Sequence, residues 1–522
     1  MSDRVVRCIL WAIAGLMAAS ASAQSSEETS TIETPLTNLS HSVTDLIIDP
    51  ESGDGRVQFA ISPQASPLDG RLFLGLEPLG DDAPGLIVVV NDSRAVRIAP
   101  SPAAMTAEIE LPPHVLSPGT NIITLALEDD ETTGWRLDAA HSRLRLAYRI
   151  DGALGSLSDV EAALAADIPP PGDIHIEDIG RDVTVEAIVA QGTALRMGRV
   201  PAFVATAEAA DLRIRYDIGP DNGGAEIRFA HTDVPEIILA GRHQQDLETA
   251  ARLFASRSLR QADTRFSVAD ALSAAAIGRE NTRLAPRGTT LREFAEARAP
   301  FGDGRGAQTA IVITEGDGEQ RLGALSIMAR TAIAHQTAWI YAWYGDDSNA
   351  APENRHVVFI GAGALSDRNL LLGAPVEFRT ALREAATQAG HRSGLRLSSA
   401  AYAHGDSHPA GVATVFTDPS NPSRWIAGFT APQASSFNRA SEILSRSAHW
   451  GALTGRAALW DEDGVTGYDY SVEGTPTVAQ RLGLPDFSMR EVAFFLFLLT
   501  MLFVLRGVWR SRRVNDKSRG WR

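Results

Sequence analysis

From Leu46 to Ile150 hydrophobic residues recur at every second position. They include Leu72, Leu74 and Leu76, then Ile123, Leu125 and Leu127, then Leu144, Leu146, Tyr148 and Ile150, the last set interleaved with Arg143, Arg145 and Arg149. A period of two puts the apolar side chains on one face of a strand and the polar ones on the other. Turn signals at Asn91-Asp92, Pro112-Pro113 and Ser117-Pro118-Gly119 break these runs at short intervals, with no helical pattern between them. The pattern predicts a small antiparallel β-sandwich over residues 46–152.

After Pro169-Pro170-Pro171-Gly172 strands and helices alternate. Ile237-Ile238-Leu239-Ala240 is a short apolar strand ended by Gly241, and Leu247, Ala250, Ala251 and Phe254 then share one helix face at i, i+3, i+4 and i+7. This predicts a first α/β domain over 153–258. Residues 259–306, rich in Arg, Ala and Gly, read as a connector with one short helix. A second α/β domain over 307–472 starts with a strand from Ala310 to Ile313 and a helix with Leu322, Leu325 and Ala329 inward. An aromatic strand from Trp339 to Tyr344 and a strand from Val357 to Ile360 follow. The two α/β domains share a layout without a clear sequence repeat.

The ends give the body a place. Residues 1–23 carry two arginines, an apolar run from Cys8 to Ala19, and Ala21-Ser22-Ala23 before Gln24, the pattern of a cleaved secretory signal. Residues 24–45, rich in Ser, Thr and Glu, have linker composition. At the other end the apolar stretch 491–509 matches the roughly 18 residues that cross a bilayer. The basic tail 510–522 behind it fits the positive-inside rule. Just before the span, residues 476–490 set Val478, Leu482, Leu484, Phe487 and Met489 among polar neighbours, as an interfacial segment does. The expected topology is a single pass through the inner membrane, with the large body periplasmic and the C-terminus cytoplasmic. Phe494, Phe495, Phe497 and Phe503 make the span bulky for a lone helix in lipid, and they are the expected contacts with a membrane partner.

Composition narrows the chemistry. The chain has 522 residues, 44% hydrophobic and 21% charged, too long for one core and too apolar for wholesale disorder. Its formal charge is -16 although both ends are basic, so the body is more acidic still and repels nucleic acid. Lys517 is the only lysine and Cys8 the only cysteine, and Cys8 leaves with the signal. Lysine catalysis in the body, disulfides and thiol chemistry are thereby excluded. Gly361-Ala-Gly363-Ala-Leu-Ser366 reads as a tight strand-to-loop turn rather than a dinucleotide loop, since its third glycine is a serine. His404 and His408 read as loop histidines, and Glu315 and Asp317 as a solvated turn. No catalytic, cofactor-binding or metal-ligating residue is assigned, and no cofactor is expected.

Aromatic residues remain as candidate glycan contacts. Trp339, Tyr341 and Trp343 would line one face of a strand and could stack successive sugar rings, although core packing is the preferred reading. Trp135, at the start of a sandwich strand, is weighed in the same way as a core anchor against a surface platform.

Several stretches together resemble a known family. Leu86-Ile-Val-Val-Val90-Asn91 precedes a short hairpin; Glu110-Leu-Pro112 is followed by Val115-Leu116-Ser-Pro118-Gly119-Thr-Asn121, and Gly134-Trp135-Arg-Leu137 leads to Ser142-Arg-Leu144-Arg-Leu146. These resemble, in the same order, the first carbohydrate-binding-like domain of the BcsB family, the periplasmic subunits of bacterial cellulose synthase. Ile237-Ile-Leu239-Ala-Gly241-Arg242 with its helix resembles the family's first flavodoxin-like domain. Phe416-Thr-Asp-Pro419 through Trp425-Ile-Ala-Gly-Phe-Thr430-Ala431 resembles the end of its second.

The resemblance implies a mixed fold: a jelly-roll-like N-terminal β-sandwich, two flavodoxin-like α/β domains and one C-terminal transmembrane helix. The family's second carbohydrate-binding-like domain is missing here, because only the 259–306 connector separates the α/β domains. The implied role is a non-catalytic subunit of an exopolysaccharide synthase that stabilises a membrane glycosyltransferase, the cellulose synthase catalytic subunit, and guides the nascent polysaccharide. The family is associated with cyclic di-GMP, but the partner's cytoplasmic domain reads that nucleotide. A periplasmic glycan-processing enzyme and a protein-binding scaffold of another export system are the contrasting readings.

Overall fold

A computed structural model describes residues 29–39, 46–81, 83–128, 133–177, 182–260, 262–268, 289–296, 300–314, 318–361, 410–418, 421–431 and 434–468. The signal 1–23, the segment 476–490, the span 491–509 and the tail 510–522 lie outside these residues.

Nine strands form the sandwich: β1 (Thr29–Pro35), β2 (Leu46–Ile48), β3 (Gly55–Ile61), β4 (Ala65–Pro78), β5 (Leu86–Val90), β6 (Arg94–Ile98), β7 (Met105–Leu111), β8 (Gly119–Leu127) and β9 (Trp135–Ile150). The first sheet has the order β1-β9-β4-β7, with β2 also on β9, and the second has the order β3-β8-β5-β6. Every pairing is antiparallel. The alternating leucines point inward as their spacing requires: Leu72, Leu74, Leu76, Leu144 and Leu146 meet Val57, Phe59, Val88, Ile123 and Leu125 in one core. Each such side chain contributes about 1.5–3 kcal/mol on leaving water. Asn91 and Asp92, both at positive φ, start the three-residue turn 91–93 that leads β5 into β6, and the Ser93 N–H donates to the Val90 carbonyl.

The sandwich starts earlier than its composition suggests. Residues 24–45 read as a linker, yet Thr29–Pro35 pairs with Arg143–Arg149 along the edge of β9. Thr29, Thr31, Ile32 and Thr34 are β-branched and suit a strand, a preference that a count of Ser, Thr and Glu hides.

The next region carries α1 (Leu157–Leu164), β10 (Ile174–Ile176), α2 (Val183–Met197), β11 (Phe203–Val204), β12 (Leu212–Ile218), β13 (Glu226–His231), β14 (Pro235–Gly241), α3 (Gln244–Ser256) and β15 (Arg265–Ser267). Its sheet has the order β11-β10-β12-β14-β13-β15. A second set follows: α4 (Leu291–Ala295), β16 (Thr309–Ile313), α5 (Gly318–His335), β17 (Trp343–Gly345), β18 (His356–Ile360), β19 (Gly411–Asp418), β20 (Asn421–Thr430), α6 (Ala434–Leu444), α7 (Ser447–Gly451), β21 (Ala457–Trp460) and β22 (Val465–Tyr468). Its sheet runs β17-β16-β18-β20-β19-β21-β22.

The shared layout extends to strand order. β10, β11, β12, β13, β14 and β15 correspond in turn to β16, β17, β18, β19, β20 and β21. In both sheets the first, second, third and fifth of these strands run parallel, while the fourth is antiparallel to the fifth and sixth. A long helix follows the first strand (α2, α5), and another follows the fifth (α3, α6). The inward helix face is as expected, with Leu247, Ala250, Ala251 and Phe254 all buried.

The two units are fused. α2 and α5 pack on each other and on both sheets, and one hydrophobic core runs through them. Gln191 of α2 donates to the Tyr344 hydroxyl of β17, the Tyr344 hydroxyl donates to the Trp339 carbonyl, and the Trp339 N–H donates back to Gln191. Nearby, buried Glu186 of α2 pairs with buried Arg321 of α5 at 3.7 Å.

Three expectations need correction. The connector 259–306 is shared out between the units: β15 completes the first sheet, and α4, capped by Thr290 and Glu293, buries Leu291 and Phe294 in the second. The aromatic strand is shorter than expected, since only Trp343–Gly345 is paired and Trp339 and Tyr341 precede it in a turn. Finally, among the described residues the first α/β sheet lacks the helices on both faces that the flavodoxin-like fold implied by the resemblance would have. Its apolar face, with Ile174, Ile176, Leu212, Ile214, Ile227, Ile237 and Leu239, shares a core with α1, α2 and α3. Its other face is charged, and among the described residues no helix covers it.

Candidate functional site

The candidate aromatics do not form one platform. Trp135 is wholly buried in the sandwich core, and its indole N–H donates to the Pro84 carbonyl at 2.8 Å. It is the anchor that closes the sandwich and has no free ring face. Trp339 is also wholly buried, edge-on to Phe294 and His335. Core packing therefore accounts for both, and neither presents a ring on which a sugar could stack. Trp343 is half-buried against the outer core of the second α/β sheet, its ring folded over Gly345. Tyr341 is the exposed member at 42%, held by its backbone: its N–H donates to the Arg305 carbonyl and its carbonyl accepts from Arg355. Phe494, Phe495, Phe497, Phe503, Glu315, Asp317, His404 and His408 lie outside the described residues.

The titratable groups inside the second unit are structural. Burial lowers the pKa of His335 to about 4, and its Nε2 lies 3.0 Å from the Phe294 carbonyl. Burial and then the Arg424 charge lower His356 to about 4, and its Nδ1 accepts the Trp425 N–H. Both are neutral at pH 7 and serve backbone groups. Gly361 leaves β18 at positive φ with Thr314 against it, the tight turn the sequence indicates.

The carboxyl ends of parallel strands are where α/β sheets receive anionic ligands, often on a helix N-terminus. In the first unit that terminus is filled from within. The Asp182 carboxylate accepts the N–H groups of Thr184 and Val185 at 2.9 and 3.1 Å, and Glu186 accepts the Asp182 N–H. Two carboxylates thus occupy the place a phosphate would take. Among the described residues no group of three or more His, Cys, Asp or Glu could hold a metal ion.

The charged face of the first α/β sheet was missed by sequence reasoning. Arg213 and Arg215 of β12, Glu236 of β14, and Glu226 and Arg228 of β13 stand on it with Arg265 of β15. Arg228 contacts Asp217 at 2.5 Å and Glu226 at 3.3 Å, Arg265 pairs with Glu226, Arg213 reaches Asp233 and Glu236, and Arg215 faces Glu177. The alternation Leu212-Arg-Ile-Arg-Tyr-Asp-Ile218 is the signal that could have found it. Every arginine here already has a carboxylate, so the face is a closed network rather than an open site.

No protein-family model matches the sequence, and no curated protein sequence does. Among solved structures the chain is similar to a carbohydrate-binding module of family 35 from Cellvibrio japonicus, at 13% identity over 24% of this chain and 100% of that one, with a TM-score of 0.17. It is also similar to a family 36 carbohydrate-binding module of a xylanase from the hindgut metagenome of Trinervitermes trinervoides. That match has 11% identity over 24% of this chain and 99% of the module, with a TM-score of 0.14. An exo-β-1,3-galactanase from Phanerochaete chrysosporium shows 15% identity and a TM-score of 0.15, over 23% of this chain and 27% of the galactanase. Alignments of this extent assign neither a ligand nor an activity to the chain.

Proposed function

We propose that this chain is a non-catalytic, membrane-anchored periplasmic subunit of an exopolysaccharide synthase of the cellulose type. It stabilises the membrane glycosyltransferase through its C-terminal span and guides the emerging β-glucan with its body. The observation that carries this reading is the order of parts: an antiparallel sandwich followed by two α/β units that share their strand order over six strands and are fused through α2 and α5. That is the order the sequence resemblance implies, with flavodoxin-like units after a carbohydrate-binding-like one. The carboxylates at the N-terminus of α2 support the view that the nucleotide signal is read by the partner and not by this body.

The test uses the full chain in its host membrane. Tagged protein extracted in mild detergent is expected to bring down a multi-spanning glycosyltransferase. Replacing residues 492–509 by an unrelated Leu-rich span of equal length should keep the chain membrane-bound but abolish polymer synthesis. Full synthesis with the replaced span, or no glycosyltransferase in the pull-down, overturns the proposal.

A further inference from the structure

The outer face of the first sandwich sheet differs from the closed charge network on the first α/β sheet. Two neighbouring rows cross its four strands. One is Glu33 (β1), Arg145 (β9), Arg71 (β4) and Glu110 (β7); the other is Pro35, Arg143, Phe73 and Glu108. Strands lie about 4.8 Å apart and same-face residues about 6.8 Å apart, so the rows form a polar grid. Arg71 is held by Glu108 at 2.6 Å and Arg143 by Glu33 at 3.0 Å. The Arg143 guanidinium also lies 4.9 Å over the ring of Phe73, a half-buried aromatic on the solvent side of β4. These contacts fix two planar guanidinium groups before any ligand arrives. Arg145 stands between them, exposed and without an acceptor among the described residues.

From this grid we infer a binding site for an uncharged, extended polysaccharide, with Arg145 as the free donor and Arg71 and Arg143 as oriented ones. Three arginines face three glutamates, so the patch has no net charge with which to collect a polyanion. It instead sets N–H donors beside carboxylate acceptors in the plane of the sheet. Neighbouring hydroxyls of a sugar, each both donor and acceptor, satisfy such a pairing. Strands of 14 and 16 residues give the grid the length of a track rather than a pocket. The inference rests on the glycan-guiding reading proposed above and adds where the body holds the polymer.

Arg145 is exposed and unpaired, so its variants should fold normally. The full chain in detergent would be tested by equilibrium binding to cellohexaose and, in parallel, to alginate. Wild type is expected to bind cellohexaose. Arg145→Ala should weaken binding about fivefold or more with an unchanged melting temperature, and Arg143→Ala should weaken it about as much. Arg145→Lys should weaken it nearly as much, because an ammonium keeps the charge but loses the planar fork. If wild type binds but the variants bind equally well, this site is wrong while the glycan-guiding reading stands. Wild type binding neither glycan overturns both. Binding confined to alginate, or retained by Arg145→Lys and lost by Arg145→Ala, overturns the uncharged ligand in favour of simple charge attraction.

Discussion

The two α/β sheets share a strand order but not an environment. In the second, all five residues of β16 and all five of β18 are buried, and Ala310, Val312, Val357, Phe359, Phe416 and Ile426 form a separate core on its outer face. In the first, the matching positions on β12 are Arg213 and Arg215, and its outer face is held by ion pairs. Strand order follows from connection lengths and handedness, which both sheets obey in the same way. Which faces are apolar follows from what each sheet must cover, and here the sequences have parted. The same topology therefore yields a sheet with apolar cores on both sides and a sheet with one face built from ion pairs.

The sharpest way to break this contrast is to exchange the chemistry at matched positions. Phe359→Asp, which puts a carboxylate at a site 5% exposed, should cost more than about 4 kcal/mol and leave little folded protein, read as lost soluble yield and a collapsed melting transition. Acid should single out the same unit, because His335 and His356 both lie in it. The unfolded chain takes up these protons near pH 6.5, whereas the folded chain resists until about pH 4, so stability present above pH 6.5 is lost as pH falls toward 4. The loss should be on the order of 2 kcal/mol for His335 and smaller for His356, and denaturant titrations at pH 7 and pH 4.5 measure it. His335→Gln should flatten that pH slope; an unchanged slope would place the titrating group elsewhere.

The helix pairs allow a finer comparison. A methyl at Gly192 of α2 would lie 2.7 Å from the Ala255 Cα of α3, whereas one at Gly323 of α5 would lie 3.0 Å from the Asn438 Cα of α6. Gly192→Ala should therefore lower stability by about 1–3 kcal/mol despite its better helix propensity, and Gly323→Ala by less. Equal melting losses would mean that the two helix pairs relax alike. The smallest effect is expected at Arg215, 45% exposed with Glu177 3.8 Å away. Arg215→Ala should change the melting free energy by less than about 0.5 kcal/mol.

Much of the framework was legible because it is local. The helix face of Leu247, Ala250, Ala251 and Phe254, the strands around Ile237, Ile311 and Val358, and the Asn91-Asp92 hairpin each declare themselves within a few residues. What failed depends on distant partners. Trp339 looks like a strand residue, but it is drawn into a turn by Gln191, which lies 148 positions earlier and accepts its N–H. Thr29–Pro35 becomes a strand because the long β9 offers it an edge. The candidate site suffers most, since a tryptophan reads alike whether it closes a core, as Trp135 does, or faces water. Arg143 and Arg145 were visible as the polar half of an alternating strand, but their tie to Phe73, Glu33 and the free position between them exists only once four strands are laid side by side.

The packing of α2 against α5 has a mechanical consequence. A joint between two domains bends only if the groups lining it can be wetted or can slide, and this one is lined by the hydrogen-bonded ring of Gln191, Tyr344 and Trp339 and by the buried Glu186–Arg321 ion pair. Opening it would strand a buried guanidinium and a buried carboxylate together with a helix that is apolar around most of its circumference. A hinge or shear between the two sheets would have to break this packing. The fused pair therefore suits the part of a strut, a spacer that resists bending, rather than that of a clamp that opens and closes.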